Sequence, residues 1–236
     1  MIQLYYARAS LLARPVWLAL LEKELPFELI PVNLPQGAQF EPEFVALSPF
    51  CHIPVLVDGG FRMIESVAIL DYLEAKYPEP ALLPHNPETL ATVRMVQMTA
   101  INELLPGMGS LLVQHKDPEQ VEYARVRIAT TLNFMEDLLR HSPYFAGEQI
   151  TLAEIVAGTM VPALPKIGIS LEPYPKLQAW SNRLQARPAW QQIQLTPEEF
   201  DNFKRRIGVM VKVWQKRRRQ RLQVLGSQST GQNGVD

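Results

Sequence analysis

The chain begins with a strand, a helix and a second strand, an order that permits only a few folds. The apolar run IQLYY (residues 2–6) predicts a strand, residues 11–25 carry apolar side chains at helical spacing, and FELIPVNL (27–34) predicts another strand. Because Pro31 cannot donate to a ladder, the second strand is expected at a sheet edge. A β-α-β start implies parallel strands joined by a right-handed crossover.

The alternation of strands and helices continues to about residue 80 and then stops. A short helix, two strands around Gly59-Gly60 and another helix are predicted at 39–47, 53–58, 61–65 and 66–77. After a proline-rich stretch every long segment has helical period, at 88–114, 118–141, 151–166 and 174–187. We therefore predict an α/β domain (1–80), a linker (81–90) and an all-α helical domain (91–200).

Cysteine and histidine usage restricts the chemistry. Cys51 is the single cysteine, which excludes an internal disulfide, a CxxC redox pair and a cysteine-based zinc site. The four histidines show no metal-ligand spacing, so we expect no metal and no bound cofactor. No apolar run reaches the roughly 18 residues of a membrane span. The expected location is the cytoplasm, where free thiols persist.

The Ile53-Pro54 bond stands at the entry of a predicted core strand. An X-Pro bond is the common place for a cis peptide, which would turn the N–H and C=O groups of Ile53 outward. Such a unit can pair with an extended ligand as another strand would. The alternative is a strand that simply begins with proline.

Glu65 and Ser66 lie where a predicted strand meets a predicted helix. Free N–H groups at the helix start can bind a carboxylate, and Glu65 would attract an ammonium group. Together they can hold the head group of an α-amino acid. The alternative is helix capping by Ser66 beside a surface carboxylate.

These features in this order resemble the cytosolic glutathione transferases. The resemblance rests on Ser10 in the first turn, SPFCHIPVL (48–56), MIESVAILDYL (63–73), the proline-rich linker and the helical half, and covers residues 1 to about 195. YFAGEQITLAEIVAG (144–158) adds the family's capping motif, with Thr151 and Glu154 as a capping box. The resemblance implies a thioredoxin-like N-terminal domain, a cis Ile53-Pro54 bond and an all-helical C-terminal domain.

The resemblance also implies how the thiol of glutathione is activated. In the serine-type members, such as the theta- and delta-like ones, a serine in the first turn donates to the sulfur, and ASLLARPV shows their pattern of Ser, three residues, then Arg. Only the thiolate is strongly nucleophilic. Ser10 is therefore the predicted catalytic residue. Tyr6 is one alternative. Another is that Ser10 is only a helix cap, although it could cap the helix and donate to the sulfur in the same fold.

The same resemblance implies two sets of binding residues. Glutathione is expected to contact Gln39, His52, Ile53, Glu65 and Ser66, with Ile53 pairing its cysteinyl unit and Glu65 and Ser66 holding its γ-glutamyl group. The electrophile pocket is expected at Arg8, Leu11, Leu12, Leu105, Met108 and Leu112, where core packing between helices is the alternative. Pro106-Gly107 predicts a kink that opens this pocket.

The C-terminal end carries the basic excess of the chain. Residues 1–200 have a net charge of −8 and residues 201–236 one of +7. We predict an additional basic helix (201–225) and a disordered tail (226–236). Because Ile207, Met210, Val211 and Trp214 form an apolar stripe, the favoured interpretation is a helix docked on the body, with membrane-surface and nucleic-acid binding as alternatives.

The sequence thus predicts a serine-type glutathione transferase that conjugates small hydrophobic electrophiles in detoxification, with glutathione as co-substrate. A homodimer is expected from the resemblance, and nucleic acid is not an expected partner. The alternatives are a non-catalytic transferase-like binding or scaffold protein and a glutathione-dependent peroxidase.

Overall fold

A mixed four-stranded sheet forms the N-terminal part of the protein. The computed structural model describes residues 1–113 and 117–231. The strands are β1 (Ile2–Tyr6), β2 (Phe27–Pro31), β3 (Val55–Asp58) and β4 (Phe61–Ile64), in the spatial order β2-β1-β3-β4. β1 and β2 are parallel, whereas β3 is antiparallel to both β1 and β4. The predicted parallel start and the edge position of β2 are therefore confirmed.

Helices cover the sheet and make up the rest of the chain. They are α1 (Ala13–Glu22), α2 (Pro42–Leu47), α3 (Ser66–Lys76), α4 (Pro87–Thr99), α5 (Leu105–Val113), α6 (Pro118–Leu139), α7 (Leu152–Ala157), α8 (Pro175–Gln185), α9 (Pro188–Ile193) and α10 (Pro197–Gly231). Tight helical turns at Leu34–Gln36 and Ala38–Phe40 precede α2, and a longer one, Val161–Ile167, follows α7. The predicted α/β half followed by an all-helical half is confirmed.

Helix α1 lies at the centre of the molecule. Its residues from Ala13 to Leu20 are all buried, and the helix contacts α3, α7 and α9. Arg187, the residue before α9, forms an ion pair with Glu22 at 2.6 Å. One apolar core thus extends from Leu4 of the sheet through α1 to Trp180 of α8. The sheet and the helical half are fixed to each other through this helix.

The start of α7 is held by the predicted capping box. The hydroxyl of Thr151 accepts a hydrogen bond from the N–H of Ala153, and Glu154 accepts one from the N–H of Thr151 at 2.8 Å. Glu154 is fully buried and also accepts from the N–H of Phe145 and from Nε1–H of Trp180. Burial raises the pKa of this carboxyl, and the hydrogen bonds oppose the shift.

The long helix predicted at 88–114 is interrupted by a π-helical turn (Ala100–Leu104) between α4 and α5. Pro106 has no N–H for the carbonyl of Asn102, and Arg127 of α6 donates to that carbonyl instead. A Cβ on Gly107 would lie 2.8 Å from the side chain of Ile128, so glycine allows α5 and α6 to pack closely. The predicted break is present, but it precedes Pro106-Gly107.

The last helix is longer than the sequence predicted. α10 extends from Pro197 to Gly231, beyond the predicted bounds of 201–225 at both ends. Adding residues to an existing helix costs little once the helix is nucleated, which composition alone does not reveal. Residues 232–236 lie outside the described residues. No helix in the described part of the chain is long and apolar enough to cross a membrane.

Replacing Glu154 by alanine should lower the free energy of unfolding by at least about 3 kcal/mol, because several buried donors would lose their acceptor. Glu148→Ala, at an exposed position of the preceding loop, is the matched control and should change stability by less than about 0.5 kcal/mol. Urea denaturation measures both variants. Equal free energies of unfolding for Glu154→Ala and Glu148→Ala would contradict the structural role of Glu154.

Candidate active site

A cavity of about 820 Å³ lies between the sheet half and the helical half. Its size is at the upper end of the ~300–1,000 Å³ of small-molecule sites, and its lining is mainly apolar. All the residues predicted for the site line this cavity, namely Arg8, Ser10, Leu11, Leu12, Gln39, His52, Ile53, Glu65, Ser66, Leu105, Met108 and Leu112. Residues from distant parts of the sequence therefore meet in one space.

Ser10 lies in the turn between β1 and α1, directly ahead of the buried helix. Its Oγ accepts a hydrogen bond from the N–H of Ala13 at 3.2 Å, and its carbonyl accepts from the N–H of Arg14. A hydroxyl has one proton to donate, and no acceptor for it is found among the described residues. The hydroxyl proton thus remains for a ligand atom in the cavity.

Tyr6 occupies a different environment. It belongs to β1, its ring packs edge-on against Trp17 at 5.3 Å, and it is not among the described residues that line the cavity. A tyrosine hydroxyl at this position has no direct path to a ligand in the cavity. The geometry therefore favours Ser10 over Tyr6 as the hydroxyl that meets a ligand.

The backbone of Ile53 is available at the cavity wall. The Ile53-Pro54 bond is cis, as the sequence resemblance implied. β3 pairs with β1 and with β4 only from Val55 onward. Ile53 therefore lies outside both pairings, and it lines the cavity. An extended ligand can therefore pair with the peptide groups of Ile53.

Glu65 and Ser66 form a polar corner at the start of α3. Glu65 has φ of +68°, a value that non-glycine residues adopt only when the surroundings hold it. Its exposed carboxylate lines the cavity, and so do Ser66 and Val67, the first residues of α3. The first N–H groups of a helix have no partner within the helix. The corner offers a carboxylate for a cation next to N–H donors for an anion.

Gln39 and His52 supply further polar groups to the same side. Gln39 is 2% exposed and its Oε1 has no partner, so the amide keeps hydrogen-bonding capacity for a ligand. Burial lowers the pKa of His52, the charge of Arg218 lowers it further, and Glu65 acts in the opposite direction. This shift favours the neutral imidazole, which has one ring N–H to offer to a ligand.

The opposite side of the cavity is apolar. Leu11 and Leu12 come from the turn before α1, and Leu105, Met108 and Leu112 come from α5. Met108 is also part of the main core, so the alternative of core packing holds in part for this residue. The unbranched side chain of methionine lets such a surface adapt to differently shaped ligands.

Helix α10 forms the roof of the cavity, which the sequence did not predict. Its lining residues Phe203, Ile207, Met210, Val211 and Trp214 include the apolar stripe that we had assigned to docking. The stripe was a correct signal of burial, but periodicity does not identify the surface that a helix covers. The missed cavity residues also include Phe40, Phe50 and Ile101.

Polar contacts fasten this roof at both ends. Arg8 pairs with Glu199 at 2.9 Å and donates to the carbonyl of Gln194, which joins the first turn to the start of α10. Farther along, Nε1–H of Trp214 donates to the carbonyl of Leu34 at 3.3 Å, and Arg217 lies over the ring of Phe40. Among the basic side chains of α10 that the structure describes, from Lys204 to Arg219, none forms an ion pair with the body.

The arrangement suits a zwitterionic peptide next to an apolar molecule. The lining from the sheet half combines a carboxylate, helix N–H groups, an amide and an imidazole. Helices α5 and α10 contribute mainly aliphatic and aromatic side chains, together with Asn202, Arg206, Gln215 and Arg218 of α10. Ser10 lies in the turn that also contributes Leu11 and Leu12 to the apolar lining. A nucleophile held at the hydroxyl of Ser10 would therefore lie next to apolar surface for an electrophile.

Two family models match the chain. The glutathione S-transferase N-terminal domain matches residues 4–81, and the glutathione S-transferase C-terminal domain matches residues 88–188. Both matches end before α10.

Individual relatives agree with the family models. Maleylacetoacetate isomerase of Rattus norvegicus is 32% identical over 79% of this chain and 88% of its own length, and the disulfide-bond oxidoreductase YfcG of Escherichia coli is 32% identical over 80% and 92%. A delta-class glutathione transferase of Nilaparvata lugens is similar in structure, with a TM-score of 0.75 and 26% identity over 91% of this chain and 100% of that one. The chain therefore belongs to the glutathione S-transferase family of enzymes.

Proposed function

We propose that the protein is a serine-type glutathione transferase, which adds the thiolate of glutathione to small hydrophobic electrophiles in detoxification. The observation that carries this proposal is the hydroxyl of Ser10, which accepts from Ala13 and keeps its proton for a sulfur atom in the cavity. A hydrogen bond to the thiolate lowers the pKa of the thiol and raises the nucleophilic fraction near neutral pH. Glutathione is the co-substrate, with no resident cofactor, and the expected compartment is the reducing cytoplasm.

Glutathione would bind along the polar side of the cavity. The γ-glutamyl ammonium group lies against the carboxylate of Glu65, and the γ-glutamyl carboxylate lies against Ser66 and the first N–H groups of α3. The cysteinyl unit pairs with the backbone of Ile53, which places its sulfur toward Ser10. Gln39 and His52 donate to the glycyl carboxylate. This pose uses five polar side chains that the sheet half presents to the cavity, namely Ser10, Gln39, His52, Glu65 and Ser66.

The electrophile would bind between α5 and the roof formed by α10. The walls are mainly apolar, and the roof contributes the aromatic side chains of Phe203 and Trp214 beside the charged Arg206 and Arg218. Burying apolar surface stabilises a ligand by about 25 cal/mol per Å², so the site favours aromatic or aliphatic electrophiles over hydrophilic ones. Arg8 also lines this part of the cavity, with its guanidinium group paired to Glu199 at the start of the roof.

A second candidate function is glutathione-dependent thiol–disulfide exchange. The relative named disulfide-bond oxidoreductase favours it, and so does the position of Cys51 in the cavity lining. The same thiolate would attack one sulfur of a disulfide, form a mixed disulfide with it and release the other sulfur as a thiolate. A panel of isothiocyanates, aryl halides, hydroperoxides and disulfides separates the two candidates by rate.

We also propose that the protein is a homodimer. Large apolar side chains are exposed on β4, α4 and α6, namely Phe61, Met95, Met98, Tyr123 and Val126. Large apolar side chains exposed on a surface are typical of an interface, and a two-fold arrangement is the commonest closed one. Strand β4, at the edge of the sheet, and α3 of one subunit would face α4 and α6 of the other.

Variants at Ser10 and Glu65 should separate catalysis from binding. Ser10→Ala removes a charge-assisted hydrogen bond of about 1.5–3 kcal/mol, so kcat/KM should fall about 10- to 100-fold while the Kd of glutathione changes little. Glu65→Ala removes the partner of the ammonium group and should raise the Kd of glutathione. Steady-state kinetics and calorimetric titration measure the two effects.

Tyr6→Phe is the control for the Ser10 variant, because it removes a hydroxyl from the same region without touching the cavity. It should keep most of the turnover. A fall in turnover with Tyr6→Phe that equals or exceeds the fall with Ser10→Ala would assign activation of the thiol to Tyr6 instead.

Removing the roof side chain Trp214 should weaken binding of bulky apolar electrophiles. Trp214→Ala is expected to raise KM for such substrates roughly tenfold, since about 1.5 kcal/mol of apolar contact is lost, and to leave KM for glutathione unchanged. Val213→Ala is the matched control, because Val213 is 44% exposed and does not line the cavity. Equal KM values for both variants would show that α10 does not contact the electrophile.

The dimer proposal predicts twice the mass of the chain in light scattering at micromolar concentration. Val126→Glu places a charge on the exposed apolar surface of α6 and should shift the protein to the monomer. Val209→Glu, which adds the same charge at an exposed position of α10, should leave the dimer intact. A monomeric mass for the unmodified protein would refute the proposal.

A further inference from the structure

Arg14 is a buried cation without a counterion. It is 8% exposed, its Nε is enclosed without a partner, and no described residue forms a hydrogen bond or ion pair with its guanidinium group. Its charged neighbour is Arg8, another cation. Burial and the charge of Arg8 lower the pKa of Arg14 to about 10, which leaves it protonated at neutral pH.

Lys23 is a second buried cation of this protein, and its charge has partners. Lys23 is 3% exposed, and its Nζ donates to the carbonyls of Tyr77 and Pro80 and pairs with Glu74 at 2.7 Å. Proteins normally pair a buried charge in this way, because an isolated one costs several kcal/mol. The buried guanidinium group of Arg14 therefore lacks the anion or hydrogen-bond acceptor that a buried charge normally has.

Arg14 lines a separate small pocket of about 60 Å³. This inner pocket lies between α1, the turn Val161–Ile167 and the start of α10, and its charged lining residues are Arg14 and Lys166, both cations. Its volume suits a few water molecules or one small ion, and glutathione is far too large for it. The inner pocket shares Leu11, Met108 and Leu112 with the main cavity, so the two spaces adjoin.

We propose that the inner pocket binds a carboxylate-sized anion, held by the planar guanidinium of Arg14 and the ammonium of Lys166. Arginine donates two parallel hydrogen bonds to a carboxylate, and a cationic pocket with apolar walls strengthens such a pair. The carboxylate belongs either to a free small anion or to an electrophile whose body occupies the main cavity. In the second case the inner pocket selects electrophiles that carry a carboxylate group.

Formate is the probe for binding, because it is the smallest carboxylate. Thermal unfolding is measured in sodium formate and in sodium morpholinoethanesulfonate of equal ionic strength, since the second anion is too large for the inner pocket. We expect a saturable rise in Tm with formate alone. Equal Tm curves in the two salts would mean that the pocket holds only water, and would overturn the proposal without touching the proposed transferase function.

Two variants locate the effect. Arg14→Met is close in shape and removes the uncompensated charge, so Tm without formate should be unchanged or higher and the response to formate should vanish. Lys166 is exposed, so Lys166→Met should fold even if the Arg14 variant does not. This second variant should weaken formate binding severalfold. A response to formate that survives unchanged in Lys166→Met and in any folded Arg14 variant would overturn the assignment.

A pair of electrophiles distinguishes the two sources of the carboxylate, and this arm rests on the proposed transferase function. An isothiocyanate with a terminal carboxylate is compared with its methyl ester. If the carboxylate is carried by the electrophile, formate inhibits turnover of the acid competitively and leaves turnover of the ester unchanged, and Lys166→Met lowers kcat/KM for the acid alone. If formate stabilises the protein but leaves turnover of both unchanged, the anion is a free one.

Discussion

The burial of helix α1 is the constraint on which the rest of the structure depends. All residues from Ala13 to Leu20 are buried, so the position of the helix is fixed by its contacts with the sheet, α3, α7 and α9. Ser10 precedes this helix and is tied to it through Ala13 and Arg14. A reactive hydroxyl is thereby held by a part of the core that cannot shift without opening both halves of the protein.

The cavity lies where strands and helices are interrupted by irregular backbone. β3 begins only after Ile53, Glu65 adopts φ of +68° before α3, and Cys51 adopts φ of +58° in the preceding loop. A π-helical turn between α4 and α5 replaces a continuous helix on the opposite side. Such irregular backbone is tolerated where the surrounding core holds it, and it concentrates at sites that bind ligands.

Local features of the fold could be predicted from the sequence, whereas long-range contacts could not. The edge position of β2, the Thr151–Glu154 capping box and the cis bond before Pro54 each follow from a short pattern or from the family resemblance. The roof formed by α10 depends on where a helix folds back, and an apolar stripe carries no information on its target. The missing counterion of Arg14 is likewise visible only once its neighbours are known.

The central claim is that one cavity places the sulfur of glutathione against Ser10. A crystal structure of the protein with bound glutathione tests it most directly. The account predicts the sulfur within hydrogen-bonding distance of Oγ of Ser10, the cysteinyl unit paired with the backbone of Ile53 and the γ-glutamyl group at Glu65 and Ser66. A sulfur atom that lies against Tyr6 or Cys51 with Ser10 out of reach, or glutathione bound outside this cavity, would contradict it.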